Sequence, residues 1–320
     1  MRALFLVVLY AGLCYASPVT DQENIETLMD NVLVLRVPHD KATLVNVPLG
    51  CGEAYRNQPV VWKKDGEEIE PPLKGNQVNV LVEEMDGGNY TCHLGPDGEY
   101  LNHTVIFIQL DPDNRTVILE EQSTEKGHIH CSAPNYNGSF HCSWKRSRVR
   151  SSAPVLLVKA ERNLENIPCE LNADGSGIQC QEANCPYKEE QHRIFVTVYI
   201  YSASLLEAYT RAFYLRDIAR PDALLNIRNS NGKVFSWSYP DSWEKPCSYF
   251  VLQFQVKVVQ KGRSCDGEHH IMLHTTEETK YEVNLKLQKY AFCVRAQDKI
   301  TLGPFNHWNF CTVNKHEVVC

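Results

Sequence analysis

The residues of this sequence that are best suited to do chemistry are its thirteen cysteines, a large number for a chain of 320 residues. Thiols of this kind either pair as disulfides in an oxidising compartment or bind metal ions. Cys131 and Cys142 are separated by ten residues, and so are Cys169 and Cys180. With turn residues in the middle of each gap, this spacing predicts two disulfides that each join the neighbouring strands of a β-hairpin.

A metal site is the alternative chemistry for the first pair, because His128, His130 and His141 lie close to it. A gap of ten residues is not a zinc-knuckle spacing, and histidines on alternate strand positions are commonly exposed. The sequence also lacks Gly-x-Ser-x-Gly, His-Glu-x-x-His and a glycine-rich phosphate loop. We therefore expect no catalytic residues, no metal and no cofactor, and the chain is predicted not to be an enzyme.

The first sixteen residues have the pattern of a signal peptide. Arg2 precedes an apolar run from Ala3 to Leu13, and small residues end at Ala16, which predicts cleavage before Ser17. The run is too short to cross the ~30 Å hydrocarbon core of a membrane, and no later stretch approaches the roughly eighteen apolar residues of a spanning helix. We therefore expect a secreted, extracellular chain with no membrane insertion.

Four Asn-x-Ser/Thr sequons agree with secretion, since one would be close to chance but four behind a signal peptide are not. The predicted glycosylation sites are Asn89, Asn102, Asn114 and Asn137. The formal charge of −7 and the sequence pI near 6.0 argue against nucleic acid as a partner. The strongest basic run, Lys145 to Arg150, is typical of a solvated strand edge, and a glycosaminoglycan or processing site is the alternative.

Strand-length segments rich in β-branched and aromatic residues occur along most of the chain, separated by turn clusters. Examples are Val32–Val37, Thr104–Ile108, Arg193–Ile200 and Phe250–Val258. Only Leu205–Phe213 suits a helical turn, and a loop with a strand fits it equally well. The prediction is an all-β protein of three tandem β-sandwiches, with a signal peptide at residues 1–16 and domains at residues 17–110, 111–219 and 220–320.

The first predicted domain carries the signature of an immunoglobulin-like sandwich. Such a sandwich has one cysteine on each sheet, a tryptophan about eleven residues after the first and a tyrosine two residues before the second. Cys51, Trp62, Tyr90 and Cys92 provide all four features in order. The pattern predicts a Cys51–Cys92 bridge through the core, with the alternate residue Asn89 facing solvent.

The other two domains are predicted to resemble fibronectin type III sandwiches. In the second, Trp144 lies beside the predicted Cys131–Cys142 bridge. In the third, Val234–Pro240 resembles a strand whose tryptophan fills the core, and Tyr290–Ala296 resembles a strand with inward residues at alternate positions.

This order of domains resembles the class I cytokine receptors, and in particular their secreted, receptor-like beta subunits of heterodimeric cytokines. The resemblance covers most of the mature chain. It is carried by Gly88–His93, Cys131–Tyr136, Cys180–Pro186, Phe213–Ile218, Trp237–Trp243, Ser248–Phe250 and Val294–Asp298.

The resemblance implies assembly rather than catalysis. Such a subunit holds a four-helix-bundle alpha chain at the elbow of its second and third domains and signals through cell-surface cytokine receptors in immune regulation. The partner-binding positions of the family map onto Tyr136, Tyr249 and Asp298. Read from the residues alone, Tyr136 would fill a turn and Asp298 would cap one. A soluble cytokine alpha receptor and a homodimeric antagonist are the alternative functions.

The sequence departs from the receptor class at the Trp-Ser-x-Trp-Ser box. The matching stretch is Phe305–Asn309, in which Trp308 is the one tryptophan retained. The stack of arginine on tryptophan rings is therefore expected to be reduced to Arg295 and one ring. The residues after Asp298 also differ from the family, because Lys299 and Ile300 replace an arginine and a tyrosine.

Two further intrachain bridges are expected in the third domain. A hairpin that turns near residues 301–304 would place Cys293 opposite Cys311, and Cys247 is expected to pair with Cys265. A Cys293–Cys320 bridge would contradict that hairpin register.

Five bridges would leave Cys185 and Cys320 unpaired among the twelve cysteines that follow the signal peptide. Cys185 lies in a polar, proline-containing stretch just after the hairpin that the predicted Cys169–Cys180 disulfide bridges. It also matches the interchain cysteine of the family. It is therefore expected to bond to the alpha chain, with an intrachain Cys185–Cys320 bridge as the alternative.

Overall fold

The protein is all-β in the computed structural model, which describes residues 24–37, 44–83, 85–110, 117–123, 127–183, 190–243, 251–315 and 317–320. Among these residues there are 24 strands and one short α-helix, so the predicted fold class is confirmed. The chain divides into two compact units, Met1–Arg115 with Ala203–Leu206 and Thr116–Ser202 with Glu207–Cys320. No helix in the described ranges is long and apolar enough to cross a membrane.

The first unit contains one sandwich. Its strands are β1 (Ile25–Met29), β2 (Val32–Val37), β3 (Val45–Gly50), β4 (Val60–Lys64), β5 (Glu67–Glu68), β6 (Gln77–Val82), β7 (Gly88–Leu94) and β8 (Tyr100–Leu110). One sheet has the order β5-β4-β7-β8-β2-β1, and β3 pairs with β6 in the other. All of these pairs are antiparallel except β2 with β8.

A disulfide and a tryptophan fill the centre of this sandwich. Alternation along β7 buries Tyr90 and Cys92 and exposes Asn89, as expected for a strand with one face on the core. Cys51 and Cys92 are bonded, with their Cα atoms 6.0 Å apart. Trp62 lies opposite Cys92 on β4 and donates its indole N–H to the carbonyl of Gly75 at 3.0 Å.

The second sandwich belongs to the second unit. Its strands are β9 (Ile129–Ser132), β10 (Ser139–Trp144), β11 (Val155–Arg162), β12 (Glu165–Asn166), β13 (Cys169–Leu171), β14 (Gly177–Gln181), β15 (Ile194–Ser202) and β16 (Leu205–Phe213). The two sheets have the orders β13-β14-β10-β9 and β12-β11-β15-β16. The segment Leu205–Phe213, for which a helical turn and a strand were both open, is thus a strand.

The two disulfides that each join paired strands of this sandwich, which we call staples, match the predicted pairs. Cys131 lies directly opposite Cys142 in the β9–β10 register, and Cys169 lies directly opposite Cys180 in the β13–β14 register. Both pairs are bonded. Trp144 follows the first staple and donates its indole N–H to the carbonyl of Gly175 at 3.0 Å.

A short helix and the third sandwich complete the second unit. They consist of α1 (Leu215–Ile218), β17 (Leu225–Ser230), β18 (Val234–Ser238), β19 (Leu252–Gln260), β20 (Met272–Thr276), β21 (Lys280–Glu282), β22 (Lys289–Asp298), β23 (Asn309–Asn314) and β24 (Glu317–Val319). The sheets have the orders β17-β18-β21 and β20-β19-β22-β23-β24. The rings of Phe235 and Phe292 stack at 3.8 Å between the sheets, and Trp237 packs against Phe254 at 5.3 Å.

The predicted Cys293–Cys311 bridge is wrong, and the register of β22 and β23 explains why. Cys293 pairs with Phe310 and Cys311 pairs with Phe292, so the two cysteines are one position out of register. Because side chains alternate across a sheet, this offset places the two thiols on opposite faces. Cys293 instead bonds Cys265, and Cys311 bonds Cys320 across the β23–β24 hairpin.

The remaining cysteine predictions change accordingly. Cys265 is bonded to Cys293, so the predicted Cys247–Cys265 bridge is wrong. Cys320 is bonded to Cys311, which removes the alternative of a Cys185–Cys320 bridge. Cys185 and Cys247 themselves lie outside the described residues.

Replacing Trp62 by alanine is expected to abolish secretion. The ring is about 1% exposed, and truncating a buried tryptophan costs roughly 3–5 kcal/mol, a large part of the stability of one domain. The measurement is the amount of folded chain in the culture medium. Leu81→Ala, which removes a side chain from the surface of the same sandwich, is the matched control, and equal secretion of both variants would show that Trp62 is not a core residue.

Candidate partner-binding elbow

Within the second unit, a turn of the second sandwich meets a loop of the third. We call this region the elbow and define it by Asn135–Gly138, Ser242, Trp243 and Asp298–Leu302. The turn connects β9 to β10 directly above the Cys131–Cys142 staple, which fixes the two strands that enter and leave it.

Asparagine side chains shape the turn from within. Asn135 Oδ1 accepts a hydrogen bond from the backbone N–H of Asn137 at 2.9 Å, and Asn137 Oδ1 accepts one from Ser139 N–H at 2.9 Å. These are the local bonds that make asparagine favourable in turns. Asn135 also donates its Nδ2 to the carbonyl of Ser242 at 2.6 Å, which ties the turn to the third sandwich.

Tyr136 is the central contact of the elbow. Its hydroxyl donates to Asp298 Oδ2 at 3.1 Å and lies 3.0 Å from Thr301 Oγ1. Its ring meets the buried ring of Trp243 edge-on, with 5.8 Å between the ring centres. Burial raises the pKa of the Tyr136 hydroxyl well above its ordinary value, and the nearby carboxylate of Asp298 adds to the rise. The hydroxyl is therefore a stable hydrogen-bond donor at physiological pH.

Asp298 organises the loop that follows β22. Its Oδ1 accepts hydrogen bonds from the backbone N–H groups of Ile300 at 2.7 Å and Thr301 at 2.9 Å. The carbonyl of Asp298 accepts from Leu302 N–H at 3.1 Å. The carboxylate is completely buried and has donors on both of its oxygens, which is what a buried charge requires.

The loop presents two apolar side chains to solvent. Ile300 is 67% exposed and Leu302 is 62% exposed. Leu302 also has a φ of 53°, an uncommon conformation for a bulky residue that costs on the order of 1 kcal/mol. A loop that is fixed from below and apolar at its tip has the properties of a protein-binding surface.

Gly303, which follows Leu302, allows this loop to lie close to the linker between the second and third sandwiches. A Cβ atom on Gly303 would be 3.1 Å from the carbonyl oxygens of both Arg216 and Ala219. The linker in turn runs beside the end of β9, where Ala133 N–H donates to Ile218 at 3.1 Å and Arg220 N–H donates to Ala133 at 2.7 Å. The glycine therefore permits the close packing that brings the tip and the turn together.

The structure places the predicted partner-binding residues as follows. Tyr136 and Asp298 are brought into direct contact, but they are 2% and 0% exposed, so in this chain they support the elbow instead of forming its surface. Tyr249 lies outside the described residues. Ile300 was noted in the sequence only as a departure from the family and Leu302 was not predicted to be a site residue, although two apolar residues on either side of a turn threonine are a signal for an exposed apolar tip.

The stack around Arg295 is larger than predicted. The guanidinium lies 4.1 Å from the ring centre of Phe305 and 4.3 Å from that of Trp308, so it contacts two rings and not one. Arg295 also donates through Nε and Nη2 to Gln255 Oε1 at 2.9 and 2.7 Å. Burial lowers the pKa of Arg295 from its ordinary value. Phenylalanine thus takes the place of one tryptophan of the receptor class, because any aromatic face attracts a cation.

The four predicted glycosylation sites differ in their surroundings. Asn89 is exposed. The Nδ2 atom of Asn102 donates to the carbonyl of Cys51 at 3.1 Å, and Asn137 is part of the elbow turn described above. Asn114 lies outside the described residues. Occupancy of the four sites stays a prediction.

Asp298→Ala is expected to release the loop. Hydrogen bonds to a charged group contribute about 1.5–3 kcal/mol each, so the amides of Ile300 and Thr301 should exchange with solvent roughly tenfold faster or more. Hydrogen exchange read by mass spectrometry on a peptide that covers 298–302 measures this. Asp266→Asn, a change of an exposed aspartate in the same sandwich, is the control, and unchanged protection in the alanine variant would show that the loop does not depend on Asp298.

One protein family and several known proteins match this chain. Residues 126–202 match the family described as cytokine interleukin-12p40 C-terminus. The chain is similar to interleukin-12 subunit beta of Homo sapiens, with 31% identity over 273 residues, 78% of this chain and 81% of the relative. The protein of that name from Felis catus is 31% identical over 308 residues, 88% of this chain and 91% of the relative. These relatives are named as cytokine subunits and not as enzymes.

Proposed function

The chain belongs to the interleukin-12 subunit beta family, and on this premise we propose that it is the secreted, receptor-like beta subunit of a heterodimeric cytokine. Its partner is a four-helix-bundle alpha chain, either interleukin-12 alpha-like or interleukin-23 alpha-like. The pair signals through a cell-surface cytokine receptor. The proposed domains are those at residues 17–110, 111–219 and 220–320, the last two of which form the elbow.

One observation carries this proposal: the elbow has a buried polar support and an exposed apolar tip. Tyr136 and Asp298 hold the loop through bonds with no solvent access, while Ile300 and Leu302 point outward. An interface of this kind loses little conformational entropy on binding, because its backbone is already ordered. An amphipathic helix of the alpha chain, with apolar side chains on one face, is a chemical match for such a tip.

The role of Tyr136 and Asp298 in partner binding is therefore proposed to be indirect. Tyr136 sets the position of the loop, and Asp298 sets its backbone conformation. Tyr249 lies in the segment between Trp243 and Val251 that joins the elbow to β19, and a direct contact by Tyr249 stays a proposal.

We further propose that Cys185 bonds covalently to the alpha chain. Ten cysteines among the described residues are in five bridges. Apart from Cys14 of the predicted signal peptide, Cys185 and Cys247 remain. Thiols in an oxidising compartment are usually paired or capped. The covalent bond would slow dissociation of a complex that noncovalent contacts at the elbow have already formed.

Replacement of the apolar tip tests the noncovalent contact. With Cys185→Ser as the background, Ile300→Glu and Leu302→Glu should each weaken binding of the co-expressed alpha chain at least tenfold, since a charge in a desolvated interface is costly. Co-purification in native buffer, followed by titration, measures this. Val149→Glu, which also changes an apolar residue at the surface of the second unit, is the control, and equal affinity of all three variants would contradict the proposal.

Replacement of single cysteines tests the covalent bond. Co-expressed with the alpha chain, Cys185→Ser should give a complex that co-purifies in native buffer but separates on a non-reducing gel, whereas Cys247→Ser should keep the covalent heterodimer. Persistence of that heterodimer in Cys185→Ser would refute the assignment. A non-reducing band at twice the mass of this chain would favour the homodimeric antagonist. Reversible capture of a ligand with no covalent product from either variant would favour the soluble alpha receptor.

A further inference from the structure

A pocket that the elbow does not use lies where the linker leaves the second sandwich. Its volume is about 450 Å³, and sites for small molecules usually measure roughly 300–1,000 Å³. Three parts of the second unit line it: residues of β9, β10 and β14 with the turn after β9, the linker residues 220–223, and the loop residues Asn306 and His307. None of these lining residues belongs to the elbow as defined above.

A row of polar side chains on three neighbouring strands forms one side of the pocket. Ser132 on β9 lies opposite His141 on β10, and His141 lies opposite Gln179 on β14. The residues that alternate with them are buried, so the row belongs to the outer face of the sheet. Ser132 Oγ lies 3.1 Å from His141 Nε2. Because neighbouring strands are about 4.8 Å apart, the row offers hydrogen-bonding groups over roughly 10 Å.

Hydrogen bonds hold the other two sides in place. The backbone N–H of Arg220 donates to the carbonyl of Ala133 at 2.7 Å, which fixes the linker to the end of β9. Asn306 is 4% exposed. Its Nδ2 donates to the carbonyl of Asp222 at 2.7 Å, and its Oδ1 accepts from the backbone N–H of Ala296 at 2.7 Å. The backbone around the pocket is therefore ordered before any ligand arrives, which lowers the entropy cost of binding.

Arg220 brings to this pocket a positive charge that the described residues do not pair. Its Nε is buried and has no hydrogen-bond partner among them, and no ion pair in that part of the chain includes it. Arg162 of the same sandwich, in contrast, donates to Glu182 at 3.1 Å and to Glu190 at 2.9 Å. Buried donors in native proteins are normally paired, and an exception requires an explanation such as a bound group. A carboxylate is the group that a guanidinium binds in the best geometry.

The remaining lining residues are suited to hydroxyl groups and to a saturated ring. Asp222 is exposed, and its carboxylate only accepts hydrogen bonds, so it can bind a hydroxyl but repels an anion. Gln179 both donates and accepts. Pro134 and Pro221 add apolar surface to the walls. A ligand that matches these groups and Arg220 together carries one carboxylate, several hydroxyls and a ring with an apolar face.

We propose that this pocket binds an acidic sugar of the sialic acid class. Arg220 binds the carboxylate of the sugar, and Asp222 binds hydroxyls on its far side. The row of Ser132, His141 and Gln179 binds the hydroxyl and amide groups that lie along the sheet. A single sugar unit is small enough for a pocket of about 450 Å³, and the site is independent of the contact with the alpha chain.

A source for such a sugar lies close to the pocket in the sequence. Ser139 lines the pocket and is also the third residue of the sequon that begins at Asn137. Acidic sugars commonly end the glycans of secreted proteins. The bound sugar therefore belongs either to a glycan on Asn137 of the same chain or to a glycan of another molecule, and the two sources share the same terminal chemistry.

The test is a titration of the secreted full chain after sialidase treatment. The probe is the α-methyl glycoside of N-acetylneuraminic acid, and binding is read by calorimetry. We expect a dissociation constant in the roughly millimolar range, because an open pocket makes few contacts with one sugar. Arg220→Met should weaken binding at least tenfold, since the carboxylate loses its cation. Arg228→Met, a change of an exposed arginine on β17, is the matched control and should bind as the parent chain does.

Two further ligands test the class of the sugar. The methyl glycoside of N-acetylglucosamine, which has no carboxylate, should bind at least tenfold more weakly than the acidic sugar. Inorganic sulfate tests whether charge alone is enough. Equal affinity for the neutral and the acidic sugar would overturn the proposal, and so would sulfate that binds as tightly as the acidic sugar or an Arg220→Met variant that binds as the parent chain does.

A variant at an exposed position keeps the test decisive should Arg220→Met not be secreted. His141→Glu changes an exposed residue of β10 and places a negative charge in the polar row. It should weaken binding of the acidic sugar at least tenfold and leave secretion unchanged, because surface substitutions have small effects on stability. Unchanged affinity in secreted His141→Glu would show that the sugar does not enter this pocket.

The source of the sugar is read from chains that have not been treated with sialidase. Asn137→Asp removes the glycan and keeps the acceptor for the backbone N–H of Ser139. An own glycan in the pocket predicts that the untreated parent chain binds the probe weakly, whereas untreated Asn137→Asp binds it as well as after treatment. Equal binding before and after treatment in both chains assigns the sugar to another molecule. Both results support the site, and absence of binding in every preparation refutes it.

Discussion

A carboxylate that is buried away from water must accept hydrogen bonds from the protein, and the contacts of the elbow are centred on the buried carboxylate of Asp298. Its oxygens are met by two backbone amides of its own loop and by the hydroxyl of Tyr136. The hydroxyl can reach it because the asparagine turn stands on the Cys131–Cys142 staple. Asp298 thus links its own loop to the turn that carries Tyr136, and the Cys131–Cys142 disulfide supports that turn from the other side.

The sequence was sufficient for those parts of the structure that depend on short-range patterns. Cys51, Trp62 and Cys92 predicted a sandwich and a bridge, because strand alternation and spacing determine which side chains face the core. The two hairpin staples followed from turn residues in a ten-residue gap. The prediction of a Cys293–Cys311 bridge was wrong because the observed register of β22 and β23 differs by one residue from the predicted register. A shift of one residue moves a side chain to the opposite face of the sheet, and the length of the connecting loop does not reveal such a shift.

The candidate site was predictable in its members but not in their roles. Resemblance to a family pointed to Tyr136 and Asp298, and the two residues do meet, 162 positions apart in the sequence. Their burial depends on how two sandwiches pack, which no local pattern contains. The same holds for Arg162, whose two glutamate partners lie twenty and twenty-eight residues away. In the sequence alone such charged residues cannot be distinguished from surface residues, because charged residues are mostly exposed and their burial here depends on how distant strands pack.

The Cys311–Cys320 bridge has a consequence for behaviour at high concentration. β24 is the last strand on one side of a five-stranded sheet, and an edge strand offers unpaired backbone groups on which a second molecule can add a strand of its own. A three-residue strand held by hydrogen bonds alone would detach readily and uncover β23. The Cys311–Cys320 bridge prevents this by joining β24 to β23 covalently. The sheet therefore ends in an edge strand of only three residues that stays paired with β23, and so short an edge is a poor template for aggregation.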